Sequence, residues 1–148
     1  MPRFVILRHD CPPGYQRPTH WDLMLECGDA LRSWALPIEP SAGASMTAEA
    51  LADHRLAYLD YEGPLTHDRG AVARIDAGNY QIERESDAEI VLRLEGTRLV
   101  GRAMLVRLDV PQSRAPQCWR FSFSAERSAT RGASGEGSGE GSPLRPAR

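Results

Sequence analysis

Lysine is missing altogether: all 18 basic residues of this 148-residue chain are arginine, and with 20 acids the formal net charge is −2. A protein that coats nucleic acid along its length carries a strongly basic face, so the balance excludes that class. It leaves room only for local contacts, at an end or to a few phosphates. Cysteine is scarce. Cys11, Cys27 and Cys118 share no CxxC spacing, which argues for reduced thiols rather than a disulfide framework. Cys27 is expected in the core, on the apolar face of its strand. No apolar run approaches the length of a membrane span, and Met1-Pro2-Arg3 leads directly into Phe4-Val5-Ile6-Leu7 without the pattern of a signal peptide. The expected setting is therefore cytoplasmic, with no membrane partner. Large apolar residues also disappear near the C-terminus, where Ser-, Gly- and Arg-rich sequence holds only Leu144. Such a stretch buries too little surface to offset its ordering entropy. Two regions follow: a folded domain over 1–125 and a disordered tail over 126–148.

What the folded part does contain is short alternating segments. His20-Trp21-Asp22-Leu23-Met24-Leu25-Glu26 alternates polar and apolar residues, the pattern of a half-buried strand. One face carries Trp21, Leu23 and Leu25; the other carries His20, Asp22, Met24 and Glu26. Further strands are predicted at Phe4 to Arg8, Leu31 to Leu36, Ala71 to Asp76, Tyr80 to Arg84, Glu89 to Leu94, Leu99 to Leu108 and Cys118 to Phe123. Turns are expected at Gly28-Asp29, Ala77-Gly78, Ser86-Asp87 and Glu95-Gly96. Thr47 to Asp53 suits a helix by composition and equally a strand leading into His54. The absence of βαβ alternation leaves a mainly β fold, a small antiparallel β-barrel with few short helical turns. Arg93, Arg98, Arg102 and Arg107 recur on the later strands, as a solvated face or as the lining of a groove for a polyanion.

The chain has only four histidines, and one of them, His20, stands two residues before Asp22 within an alternating strand. Residues two apart on a strand are roughly 6.5–7 Å apart and share a face, so His20 and Asp22 can lean onto one divalent ion. His9 ends the first strand and His54 opens a tyrosine-bearing segment; His67 reads as a surface loop residue. Imidazoles plus one carboxylate leave open positions for water and substrate oxygens, which is the habit of a catalytic ion. Zinc, manganese and iron(II) all suit these donors. No thiolate is expected in the constellation. A facial triad for iron(II) oxygenation is one alternative, although the folded part is short for an oxygenase jelly roll.

Taken together, Arg8-His9-Asp10, His20 to Glu26, Leu31 to Pro37 and Asp53-His54 to Tyr61-Glu62-Gly63 resemble the 3′-phosphoesterase domain of bacterial DNA ligase D, in its free-standing form, over nearly all of residues 3–124. The resemblance implies a small β-barrel with a metal site on its outer surface, manganese as the preferred ion with zinc or cobalt as substitutes, and DNA 3′ ends as substrate. That substrate carries a terminal ribonucleotide or a 3′-phosphate, and a DNA ligase or end-joining proteins are the implied partners. It assigns His9, His20 and Asp22 as metal ligands, His54 as the contact to the scissile phosphate, Tyr58 as its neighbour, and Trp34 as a core residue. Departures are equally specific. The spacer between the two metal histidines is lengthened to the segment Asp10 to Thr19. The family's phosphate-clamping arginine and lysine become Met24 and Ile38, and its Gly- and Glu-rich stretch is replaced by Pro64 to Gly70. Arg8, Arg17, Arg55 and Arg69 are the candidates to replace that charge. A barrel that binds nucleic-acid ends or a repair partner without efficient catalysis is the alternative function.

Overall fold

Alternation of inward and outward side chains closes this sheet on itself. The structure, a computed structural model, describes residues 1–108 and 117–126. Its strands are β1 (Arg3–Asp10), β2 (His20–Cys27), β3 (Ala30–Leu36), β4 (Ser45–Arg55), β5 (Gly63–Pro64), β6 (Ala71–Glu85), β7 (Glu89–Gly96), β8 (Val100–Arg107) and β9 (Cys118–Ala125), with one 3₁₀ turn at Leu56–Leu59. All pairings are antiparallel and run β1-β2-β3-β4-β9-β8-β7-β6, and a β1–β6 pairing completes the ring. β5 adds a two-residue flank to β6. The barrel expected from the sequence is present. The tail expected over 126–148 lies outside the described residues apart from Glu126. Among the described residues no helix is long and apolar enough to cross a membrane.

Two cores result, one on each side of the sheet. Inside the ring pack Phe4 and Ile6 of β1, Leu23 and Leu25 of β2, Trp34 and Leu36 of β3, and alternate residues of β7, β8 and β9. Trp34 meets Trp119 edge to face at 6.0 Å, the geometry the aromatic quadrupoles favour. On the outer face Val5, Leu7, Met24, Leu31 and Val72 form a second cluster, covered by Leu59 of the 3₁₀ turn and flanked by Tyr58 and Leu65. β2 is therefore buried on both faces from His20 to Leu25, apart from half-buried Trp21.

Several local expectations are corrected. Thr47 to Asp53 is strand, part of β4, because pairing with β3 and β9 outweighs its weak helix propensity. Ala77-Gly78 is no turn: β6 runs through it and exchanges its partner from β1 to β7 at Gly78. The glycine there permits close backbone approach, since a Cβ would stand 2.1 Å from the Glu95 carbonyl oxygen. Cys27 is exposed, because the strand has reached the Gly28 hairpin, where Gly28 turns at φ +65°. Met24, grouped with the polar face, is buried beneath the 3₁₀ turn. The arginines of the later strands are a solvated face held by acids: Arg93 to Glu95 and Glu126, Arg98 to Glu39 and Arg102 to Glu83, with Arg107 on the Asp87 carbonyl.

Candidate metal centre

Strand register sets the site. His9 faces His20 across the β1–β2 pairing, and Leu7 faces Asp22. Directly opposed residues share a face, and so do residues two apart, so His9, His20 and Asp22 all project from the outer face, at the end of the row that continues into Leu7, Val5 and Met24. All three are buried, at 8%, 5% and 3% exposure. The cover comes from two loops. The Asp10–Thr19 segment is folded: Cys11 N–H donates to Thr19 Oγ1 at 3.1 Å, Tyr15 N–H donates to the Pro12 carbonyl at 3.1 Å, and the Tyr15 ring lies 5.7 Å from that of His9. The Leu65–Gly70 loop closes from the other side. A Cβ on Gly70 would stand 1.8 Å from the Asp10 carbonyl oxygen, and its φ is +90°, so only glycine lets that loop seat against β1.

Carbonyl partners fix both imidazoles. His9 Nε2 lies 2.7 Å from the Arg69 carbonyl, and His20 Nδ1 lies 2.9 Å from the Pro18 carbonyl. A carbonyl only accepts, so these nitrogens carry the protons, and the lone pairs belong to His9 Nδ1 and His20 Nε2. Both point at Asp22: His20 Nε2 is 3.0 Å from Oδ1, and His9 Nδ1 is 3.8 Å from Oδ2. Neither approach satisfies the carboxylate. Asp22 Oδ1 is buried without a hydrogen-bond partner, and among the described side chains the other such atoms are all indole nitrogens. Two lone pairs and a carboxylate turned inward need a positive charge between them. A proton supplies part of it: burial pulls the His20 pKa down, but Asp22 and the Pro18 carbonyl outweigh burial and the net shift is upward. A divalent ion is the other charge that these donors could hold. Adjacent N and O ligands at bonds near 2.1 Å stand about 3.0–3.4 Å apart, which the His20–Asp22 separation already matches.

Sequence reasoning missed a thiol. Cys11, His9 and His20 form a group whose donor atoms lie within 4.8 Å of one another, and Cys11 Sγ is 3.8 Å from His20 Nδ1. The expectation of a thiolate-free constellation is thus corrected. No spacing signals this contact, since it depends on how the loop folds back. Burial first, then Asp22, raises the Cys11 pKa, so a cation is needed to draw out the thiolate.

His54 sits elsewhere on the same face. It is opposite Leu31, which is opposite Glu26, so its backbone stands about 13 Å along β2 from Asp22 and roughly 10 Å across the sheet. The structure does not bring it into the histidine–aspartate cluster. Its Nδ1 bonds the Ala52 carbonyl at 3.0 Å, and its ring meets Tyr58 edge-on at 5.7 Å. Tyr58 lines a cavity of about 160 Å³ with Arg55, Tyr61 and Arg69. Arg69 joins the two places, because its carbonyl holds His9 while its residue borders the tyrosine cavity. Beside His20 a second hollow of about 400 Å³ is lined by Arg17, Leu36, Thr47, Glu49 and Cys118. Of the four candidate arginines, Arg8 is paired with Asp10 at 2.9 Å and Arg17 with Glu49 at 2.6 Å. Among the described residues Arg55 and Arg69 form no ion pair, and the Arg69 guanidinium bonds Thr66. His67 is exposed in its loop.

The family model of the DNA ligase D 3′-phosphoesterase domain matches residues 9–107. The multifunctional non-homologous end joining DNA repair protein LigD of Mycobacterium tuberculosis is 34% identical over 115 residues, 72% of this chain and 14% of that protein. The multifunctional non-homologous end joining protein LigD of Pseudomonas aeruginosa is 30% identical over 121 residues, 73% of this chain and again 14% of its own length. The chain thus corresponds to a small part of these relatives, and it belongs to the DNA ligase D 3′-phosphoesterase domain family.

Proposed function

We propose that the chain is a metal-dependent phosphoesterase that processes DNA 3′ ends, removing a 3′-phosphate or a terminal ribonucleotide during end-joining repair. The observation that carries this reading is the buried carboxylate of Asp22, unsatisfied and faced by two imidazole lone pairs. His9, His20 and Asp22 would hold a divalent ion, manganese or a related one such as zinc or cobalt. Once bound, such an ion neutralises charge on a phosphoryl oxygen and lowers the pKa of water.

The remaining work falls to side chains. Arg69 and Pro18 fix the two imidazoles through their carbonyls, so each ring offers one nitrogen in one direction. His54 Nδ1 donates to the Ala52 carbonyl, which leaves Nε2 to face the substrate; in the imidazolium form its Nε2–H would donate to a phosphate oxygen or a leaving group. The edge of Tyr58 holds that ring. Arg55 and Arg69, without an ion pair among the described residues, supply the charge that Met24 and Ile38 do not. A DNA terminus laid from the histidine cluster across Arg69 to the tyrosine cavity would meet each group in turn. Its partners in the cell would be a ligase or other end-joining proteins.

The test is a primer bearing a 3′-phosphate or a 3′-ribonucleotide, incubated with the protein and manganese. Turnover that disappears in His20→Ala and Asp22→Ala supports the enzyme. The second reading, an end-binding module, draws on Met24, whose burial under Leu59 puts an apolar group where the family's phosphate-clamping arginine is expected. Binding of the primer without turnover would establish that reading instead.

A further inference from the structure

We propose that Cys11 is a metal ligand of this chain, forming with His9 and His20 a sulfur-containing donor set that favours zinc or cobalt over manganese. This rests on the metal-centre reading above and goes beyond it, since the resemblance assigns no sulfur. Three observations carry it. The donor atoms of His9, Cys11 and His20 already lie within 4.8 Å of one another. Sulfur and nitrogen bound to one tetrahedral ion at about 2.3 and 2.0 Å stand roughly 3.5 Å apart; Cys11 Sγ already lies against the His20 ring, 3.8 Å from its proton-bearing Nδ1, while Nε2 keeps the lone pair for the ion. The position is also built: Cys11 is tied through its N–H to Thr19 Oγ1, directly before His20, and followed by two prolines that stiffen the loop.

Competing explanations for the thiol are weak. Its hydrogen bond goes to the His9 carbonyl at 3.6 Å, and a thiol is a weak donor that holds its place only loosely. Asp10, the neighbouring acid, is occupied by Arg8 and does not compete for the ion. Asp22 approaches the imidazoles with a buried, unsatisfied oxygen, while the donor atoms that already lie together are those of His9, Cys11 and His20. Thiolate is a soft donor, and its presence widens the advantage of zinc and cobalt over manganese that imidazole alone provides. The lengthened spacer is then a device that changes the metal rather than a passive insertion.

Cobalt(II) titration of the full chain, followed by absorption, tests this. Wild type should take up one cobalt and show the near-ultraviolet charge-transfer band of a thiolate–cobalt bond. Cys11→Ser, with an unchanged far-ultraviolet dichroism spectrum, should still bind cobalt but lose the band, and its preference for zinc over manganese should shrink in competition. Cys118→Ser, altering the thiol that lines the hollow beside His20, should keep the band. Cobalt bound by wild type without the band overturns the sulfur ligand and leaves the metal centre standing. A band that survives in Cys11→Ser overturns the assignment to Cys11. Failure to bind cobalt at all overturns the metal centre itself.

Discussion

His20 is pulled in two directions, and the outcome can be read in pH. Burial disfavours its charged form, while the Asp22 carboxylate and the Pro18 carbonyl favour it and prevail, so the folded pKa lies above the ordinary 6.5. A group whose pKa is raised by folding binds more protons in the native state, so its contribution is complete below the unfolded pKa and vanishes as pH climbs through the folded value. Metal-free protein should therefore lose stability as pH rises from about 6.5 through the elevated pKa. His20→Gln should flatten that dependence, as urea unfolding at a series of pH values would show. A slope identical in both proteins would place the titrating group elsewhere. The His-x-Asp spacing was legible at this scale because period two puts both side chains on one face whatever the rest of the chain does. Cys11 and Met24 were not. One depends on a loop folding back onto its own strand, and the other on Leu59 arriving from a distant segment.

Strands and loops add a second kind of information that composition hides. β6 looks like two strands because a glycine interrupts it, yet Gly78 is where the strand leaves β1 for β7. Nearby, buried Asp76 holds the β7–β8 turn: its Oδ1 accepts the N–H groups of Ala77, Thr97 and Arg98, and its Oδ2 accepts that of Leu99 at 2.8 Å. Asp76→Asn would set an amide NH₂ against a backbone donor. Hydrogen bonds to charged groups are each worth about 1.5–3 kcal/mol, so the change should cost about 2–4 kcal/mol. A fall in the denaturant midpoint with unchanged m-value would show it. The Leu65–Gly70 loop works differently, acting on His9 through the Arg69 carbonyl. Gly70→Ala cannot keep a Cβ 1.8 Å from the Asp10 oxygen, so the loop must lift and release His9 Nε2. Outer-shell losses of this sort reduce metal affinity about 10–100-fold, and zinc calorimetry on a variant that still folds should find that range. An unchanged affinity would mean that Arg69 does not orient the histidine.

Across the whole molecule, charge is the feature that decides how a nucleic acid can approach. The barrel itself was legible from seven or eight short segments and their turns, because a closed sheet is the stable answer to strands with one apolar face each. Its second, outer core was not, since it needs the 3₁₀ turn over β1, β2 and β3. The arginines follow the same division. Eight of them, Arg3, Arg8, Arg17, Arg32, Arg84, Arg93, Arg98 and Arg102, are paired with acids. Among the described residues Arg55 and Arg69, beside the tyrosine cavity, form no ion pair; the Arg69 guanidinium bonds only Thr66. With most of the described arginines paired, Arg55 and Arg69 form a small landing place for phosphate next to the candidate centre. Each phosphate neutralised on a single strand contributes about −0.7 to the slope of log K against log salt. Binding of a short 3′-ended single strand should then show a shallow slope near −1.4, from about two contacts. Arg55→Ala should reduce it by about 0.7, with the change measured by fluorescence anisotropy over a range of salt concentrations. A steep slope left intact by that substitution would mean that the strand runs along the paired arginines of the later strands, and that the ion pairs there open to receive it.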